Sequence, residues 1–164
     1  MMPLNKKISV LMVCLGNICR SPIAHGVLLK LIKERELDRL IEVDSAGTGD
    51  WHVGSKPDLR AIQVSAVRGY DIDHLRARQV EDLDFMHFHY ILAMDQRNKR
   101  DLEKLAPREF DGVSRLLLDY NQIEQKDVPD PYYGGTRDFE LVLDLVEPAC
   151  IEFLKTIVSK HRLS

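Results

Sequence analysis

Residues 8–22 read Ile8-Ser9-Val10-Leu11-Met12-Val13-Cys14-Leu15-Gly16-Asn17-Ile18-Cys19-Arg20-Ser21-Pro22, and the run changes character at Cys14. Before it lies a short apolar, partly β-branched segment of the kind that forms a buried strand. After it come Gly16 and Asn17, residue types that tolerate positive φ and let successive backbone N–H groups turn toward a common centre. Pro22 fits the first turn of a helix, where a missing N–H costs nothing, and Ser21 fits the N-cap before it. The stretch therefore predicts a strand, a loop able to cradle an oxyanion and a helix N-terminus, in that order. Such a loop lies at the carboxyl edge of an open α/β sheet, where ligands bind.

The segments that follow repeat the strand–helix alternation. Residues 22–37 place Ile23, Ala24, Val27, Leu28, Leu31 and Ile32 at helical spacing. Residues 41–43 read as a second strand ended by Ser45-Ala46-Gly47-Thr48-Gly49, and residues 57–67 as a helix with Gly69 as its stop. A third strand (90–94), a third helix (95–106, closed by Pro107) and a fourth strand (113–118) come next. From Asp138 onward, Phe139, Val142, Leu143, Val146, Cys150, Phe153, Leu154 and Ile157 form one long apolar stripe. This alternation predicts βαβ units, a mostly parallel sheet and helices on both faces. Residues 119–137 are too long for a plain connector, and irregular segments of that length often carry function.

With 164 residues, 45% of them hydrophobic, the chain can bury one ordinary core, so a single domain spanning 1–164 is expected. The net charge of -3 comes from 26 acidic and 23 basic residues without a long run of one sign, which argues against nucleic acid as a partner. Lys6 and Lys7 before the apolar run imitate the start of a secretion signal, but the run enters a Gly-, Asn- and Arg-containing turn instead of a small-residue cleavage site. No apolar stretch approaches the roughly 20 residues of a membrane span, so no membrane partner is expected. The odd count of three cysteines (Cys14, Cys19, Cys150) suits a reactive thiol in a reducing compartment, and the cytoplasm is the expected location.

The chemistry of the first loop follows from its two ends. Arg20 offers a planar fork that can hold two phosphate oxygens at once. A cysteine beside an arginine and a helix N-terminus is favoured as a thiolate, so the field that binds an anion also makes Cys14 a nucleophile. Ser21 can give its hydroxyl proton to that sulfur. Hydrolysis of a phosphate ester also requires a proton donor for the departing oxygen. Asp130, between Pro129 and Pro131 and followed by Tyr132 and Tyr133, is a candidate, although an ordinary Asp-Pro turn reads equally well there.

Val13-Cys14-Leu15-Gly16-Asn17-Ile18-Cys19-Arg20-Ser21-Pro22 resembles the signature of low-molecular-weight protein tyrosine phosphatases. The likeness continues through Asp44-Ser45-Ala46-Gly47-Thr48, Trp51-His52-Val53-Gly54, Asp58-Leu59-Arg60-Ala61, Ala77-Arg78-Gln79, Ile91-Leu92-Ala93-Met94-Asp95 and Asp130-Pro131-Tyr132-Tyr133-Gly134. The resemblance implies a three-layer, flavodoxin-like α/β fold with a four-stranded parallel sheet, and cofactor-free hydrolysis of phosphotyrosine through a phosphocysteine. Cys14, Arg20 and Asp130 are then catalytic. Leu15, Gly16, Asn17, Ile18, Cys19 and Ser21 form or support the loop, with Ser45 expected as hydrogen-bond partner of Asn17, and Trp51, Tyr132 and Tyr133 line the substrate pocket. A phosphotyrosine protein is the implied partner of a monomeric enzyme. Cys19 reads either as a reversible oxidation lock for Cys14 or as a buried spectator thiol.

Cys150 lies on the apolar stripe of the last helix and reads as core. His87 and His89 lack further residues at ligand spacing, so no metal site is expected. Two departures from the family pattern stand out. Leu75 occupies a position where the family has a histidine, with His74 one residue earlier, and His25-Gly26 replaces Glu-Ala after Ala24. Gly26 alone costs a helix about 1 kcal/mol relative to Ala. Related folds suggest three alternatives: an arsenate reductase, which needs more cysteines downstream than Cys150; an arginine phosphatase, which carries Thr where this chain has Ile18; and a phosphate-reading module without catalysis.

Overall fold

The computed structural model describes residues 6–163; of the expected domain 1–164, residues 1–5 and Ser164 lie outside the described residues. Four strands form one parallel sheet in the order β2-β1-β3-β4: β1 (Ile8–Cys14), β2 (Ile41–Gly47), β3 (Tyr90–Ala93) and β4 (Val113–Leu116). Every residue of β1 is buried because helices cover both its faces. Val10 and Met12 pack on one side with Ile23 and Leu28 of α1 (Arg20–Glu34) and Phe139 and Phe153 of α5 (Thr136–His161). Leu11 and Val13 pack on the other side with Phe85, Phe88 and Leu102. The three-layer α/β architecture is thus written into the alternation of one strand.

The remaining helices are α2 (Leu59–Val67), the short α3 (Asp84–His87) and α4 (Gln96–Leu105). One turn of α3 is too short to carry a helical period, so residues 84–87 gave no signal. α4 starts where Asp95 accepts from the Asn98 N–H (2.7 Å) while Asn98 Oδ1 accepts from the Asp95 N–H (3.2 Å), a reciprocal cap. The fourth strand stops at Leu116, and Leu117–Asn121 tightens into a 3-10 turn.

Chain order places β1 between β2 and β3, so the direction in which strands are added reverses there. The loop after β1 opens at that switch point, where adjacent connections run to opposite faces. Gly47 at the end of β2 is required by closeness: a Cβ there would lie 2.6 Å from the Leu15 carbonyl oxygen.

The His25-Gly26 departure has a packing explanation. A Cβ on Gly26 would lie 2.4 Å from Cγ2 of Ile72, a fully buried β-branched side chain with little freedom to turn aside. The helix gives up propensity at Gly26 so that the chain after α2 can press Ile72 onto it. His25 is buried beside it, with Nδ1 3.0 Å from Ser45 Oγ on β2. Burial pulls its pKa down from 6.5 to about 4, with His74 and Arg78 adding to the effect and Asp44 opposing it.

Two outcomes are expected. Gly26→Ala should destabilise the protein by about 1 kcal/mol, because overpacking of about 1–3 kcal/mol exceeds the gain of about 1 kcal/mol in helix propensity; urea unfolding checks this, and a stabilised variant would refute the packing account. The second concerns pH. Between 6.5 and about 4 the unfolded chain binds a proton at His25 that the folded chain refuses, so this contribution to stability is complete above pH 6.5 and is lost on acidification. The loss is about 2 kcal/mol by pH 5, and the urea midpoint of His25→Gln should fall less between pH 7.5 and pH 5 than that of the parent.

Candidate active site

Cys14, the last residue of β1, is 3% exposed, and its sulfur is met from two sides. The Asn17 N–H donates to Sγ at 3.2 Å, and Ser21 Oγ lies 3.0 Å from it. The surrounding hydrogen bonds determine which way the Ser21 proton points. Asn17 Oδ1 accepts from the Arg78 N–H (3.0 Å), which turns Asn17 Nδ2 toward Ser21 Oγ to donate at 2.7 Å. With its oxygen accepting from Asn17, the Ser21 hydroxyl is set to donate to sulfur.

Arg78 is itself fixed, its Nη1 and Nη2 each 3.0 Å from a carboxylate oxygen of Asp84 and its Nε 3.2 Å from Asp44. Asn17 adopts φ 57°, as its type permits, whereas Gly16 does not adopt positive φ. Gly16 matters for space, since a Cβ there would sit 3.1 Å from His52 Cδ2.

Two sequence expectations are corrected. The helix begins at Arg20, with Cys19 at the cap position, so Ser21 lies inside the first turn and its hydroxyl goes to Cys14 and Asn17. Among the described residues no side chain caps that turn, and its N–H groups have no intrahelical acceptor, which leaves them to an anion in the loop. Ser45 is not the partner of Asn17. It faces His25, because Arg78 and Ser21 already occupy the two ends of the Asn17 amide.

Arg20 is 3% exposed. Its Nη1 donates to Asp95 Oδ2 at 2.6 Å and to the Val128 carbonyl at 3.0 Å, while Nη2 lies 3.8 Å from Asp130 Oδ2. Burial alone would lower its pKa; Cys14, Asp95 and Asp130 outweigh that and push it up, so the guanidinium stays charged. Asp95 pins the Nη1 end of the fork. Asp130 is half exposed, and its Oδ1 accepts from the Tyr132 N–H at 3.1 Å.

The loop and this second segment enclose a cleft of ≈ 380 Å³ with Cys14, Leu15, Gly16, Ile18, Cys19 and Arg20 at its base. Trp51, His52, Asp130, Tyr132 and Tyr133 form its walls. Trp51 is 72% exposed and therefore a wall of the mouth, not core. Asn17 and Ser21 stand behind the loop as supports, while Ser45 is turned away. Sequence reasoning missed four participants: His52, Asp95, Arg78 and Arg60. Each lies within the family-like segments, but isolated polar residues in loops and at helix starts give no periodic signal, and the partners that tie them to the site are remote in sequence.

Burial pushes the Cys19 thiol well up, aided by Asp58, Cys14 and Asp130. Cys150 is fully buried in the core. His87 Nε2 pairs with Glu42 (2.7 Å) and His89 Nδ1 accepts from the Ser9 N–H (3.0 Å). Among the described residues no three His, Cys, Asp or Glu side chains group as a metal site would require. His74 is exposed beside Asp71, and Leu75 packs on the core.

The family model for low molecular weight phosphotyrosine protein phosphatase matches residues 9–163. The chain is 40% identical over 157 residues to low molecular weight protein-tyrosine-phosphatase YfkJ of Bacillus subtilis, covering 95% of this chain and 99% of that one. It is 41% identical over 149 residues to the low molecular weight phosphotyrosine protein phosphatase of Gallus gallus, covering 90% and 94% respectively. The crystal structure of a protein tyrosine phosphatase from Entamoeba histolytica superposes with a TM-score of 0.90 at 38% identity, over 94% of this chain and 99% of the other. A parallel sheet that opens at β1, a cysteine loop built on that switch point and relatives alike over nearly their whole length agree: the chain belongs to the low molecular weight phosphotyrosine protein phosphatase family.

Proposed function

We propose that the chain hydrolyses phosphotyrosine in proteins, and aryl phosphates generally, with Cys14 as nucleophile, Arg20 as phosphate clamp and Asp130 as general acid and base. The observation that carries this reading is the convergence of those three side chains on one cleft whose base is the N-terminus of α1. The phosphoryl group sits in the loop, its oxygens met by first-turn N–H groups and by the free side of the Arg20 fork. Cys14 Sγ forms a bond to phosphorus as the ester P–O bond breaks. The electron pair leaves on the phenolic oxygen, which takes a proton from the Asp130 carboxyl.

In the second step a water gives its proton to the Asp130 carboxylate and attacks phosphorus. The S–P bond breaks, and sulfur departs as a thiolate that the Ser21 hydroxyl and the Asn17 N–H stabilise. Arg20 and the loop neutralise the charge spread over the equatorial oxygens in both steps.

The base and mouth of the cleft suit a phenyl ring. Ile18 offers an apolar contact where an arginine phosphatase carries Thr, and Tyr132 and Tyr133 meet edge to face with centroids 4.9 Å apart, forming a hydrophobic wall. Phosphoproteins are the substrate class. The site is complete within one chain, which supports action as a monomer, and a mechanism dependent on a free thiol suits the cytoplasm. Among the described residues no helix is long and apolar enough to cross a membrane.

Cys14→Ser should abolish turnover, and Arg20→Lys should lose nearly all of it, because a point charge cannot keep Asp95 and two phosphate oxygens at once. The Asp130 role is tested by leaving-group dependence. A phenolate from an electron-poor ester departs almost unaided, whereas tyrosine, with a phenol pKa of about 10, needs the proton. Asp130→Asn should slow single-turnover transfer from phosphotyrosine by about 10²- to 10⁴-fold and from the activated ester far less. An unchanged slope across a series of aryl phosphates would remove Asp130 from the acid role and turn the search to Asp127.

A further inference from the structure

The segment bearing Asp130 is held at both ends by arginines, and only one of them faces the reaction. At its start the Val128 N–H donates to the Met94 carbonyl (2.8 Å) and the Val128 carbonyl accepts from Arg20. Pro129 and Pro131 flank Asp130 and have no N–H to offer. At its far end the Tyr132 carbonyl accepts from Arg60 Nη2 at 2.9 Å and the Gly134 carbonyl from Arg60 Nη1 at 2.8 Å. Asp130 is thus slung between these two anchor points.

Arg60 is equally well fixed from behind. Its Nε and Nη2 each lie 3.0 Å from an oxygen of Asp58, and its guanidinium stacks 4.5 Å above the Phe139 ring of α5. Asp58 also accepts from the Arg60 N–H at the start of α2 (2.9 Å), and its own N–H donates to the Ile18 carbonyl (2.8 Å). One continuous chain of hydrogen bonds therefore runs from the phosphate loop through Asp58 and Arg60 to the backbone just after Asp130. Arg60 lies outside the lining of the cleft.

We propose that Arg60 is a positioning residue for the general acid, latching the segment 130–135 to the phosphate loop so that the Asp130 carboxyl meets the leaving oxygen. The proposal rests on the reading of Asp130 as the acid. It does not require Arg60 to touch substrate, and it explains why one guanidinium holds both oxygens of Asp58 and two backbone carbonyls: all four acceptors lie within reach of one planar group, which an ammonium cannot serve together. A general acid displaced by about 1 Å loses much of its effect while phosphate binding, which uses other groups, is retained.

The test is a double-mutant cycle of Arg60 with Asp130, read by single-turnover phosphorylation of Cys14 from a phosphotyrosine peptide and from an activated aryl phosphate. Arg60→Ala should slow transfer from phosphotyrosine about 10- to 100-fold and from the activated ester by less than about threefold. Arg60→Lys, which keeps the charge and the aliphatic stem but not the fork, should behave alike and guards against a folding defect. Competitive inhibition by inorganic phosphate should change by less than about threefold, since Arg60 does not line the cleft and its donors are taken by Asp58, Tyr132 and Gly134. In the Asp130→Asn background either substitution should cause no further leaving-group-dependent loss.

Equal losses on both esters, or losses that persist undiminished in Asp130→Asn, would overturn the latch. A selective effect of Asp130→Asn combined with an unselective effect at Arg60 rejects the latch alone. An unselective Asp130→Asn rejects the acid assignment and the latch together.

Discussion

Arg20 carries a full positive charge almost wholly out of water, and the arrangement of the site follows from what that charge requires. An unpaired buried guanidinium would be several kcal/mol unfavourable. Here Asp95 just after β3, Cys14, and the Val128 carbonyl with Asp130 surround it, drawn from three separate stretches of chain. The Asp95 carboxylate that meets Arg20 also caps α4, so the helix start and the proposed phosphate clamp share one side chain. The segment carrying Asp130 returns to the sheet at Val128 because the Met94 carbonyl and Arg20 both bind it there. In the proposed mechanism, the side of the fork left open is where a phosphate dianion completes the charge balance.

The loop around Cys14 is ordered by a second directional constraint. A single backbone N–H, that of Arg78, sets the orientation of the Asn17 amide, and through it the proton of Ser21 and the environment of sulfur. Buried polar networks of this kind specify one arrangement when every member is satisfied. Arg78 is held by Asp44 and Asp84 on one side and donates through its backbone on the other. The pattern shows how residues outside the cleft determine the chemical state of groups within it.

Much of this was legible in the sequence, and the exceptions share a cause. The buried run Ile8–Cys14, the stripe from Phe139 to Ile157 and the alternation between them announced a parallel sheet covered on both faces, because periodicity reports burial directly. The cysteine loop was readable because Gly, Asn, Ser and Pro carry local conformational meaning. Local meaning was also where the reading erred: Ser21-Pro22 looks like a cap followed by a first turn, but the helix starts earlier and Ser21 is taken by sulfur. Asp130 was ambiguous by itself and became an acid candidate only through family resemblance. Arg60, Arg78 and Asp95 went unseen because their partners lie 61 to 75 residues away. The His25-Gly26 departure likewise became intelligible only when Ile72 and Ser45 were placed against it.

The central claim is that phosphate passes through a covalent bond to Cys14 held by this loop. The most direct measurement is intact and peptide mass spectrometry of enzyme quenched in acid within the first turnover of a phosphotyrosine peptide, using Asp130→Ala to slow breakdown of the intermediate. The account predicts one added phosphoryl group on the peptide containing Cys14, absent from Cys14→Ser. Phosphate released from wild-type enzyme with inversion at phosphorus, and no adduct at any quench time, would contradict it.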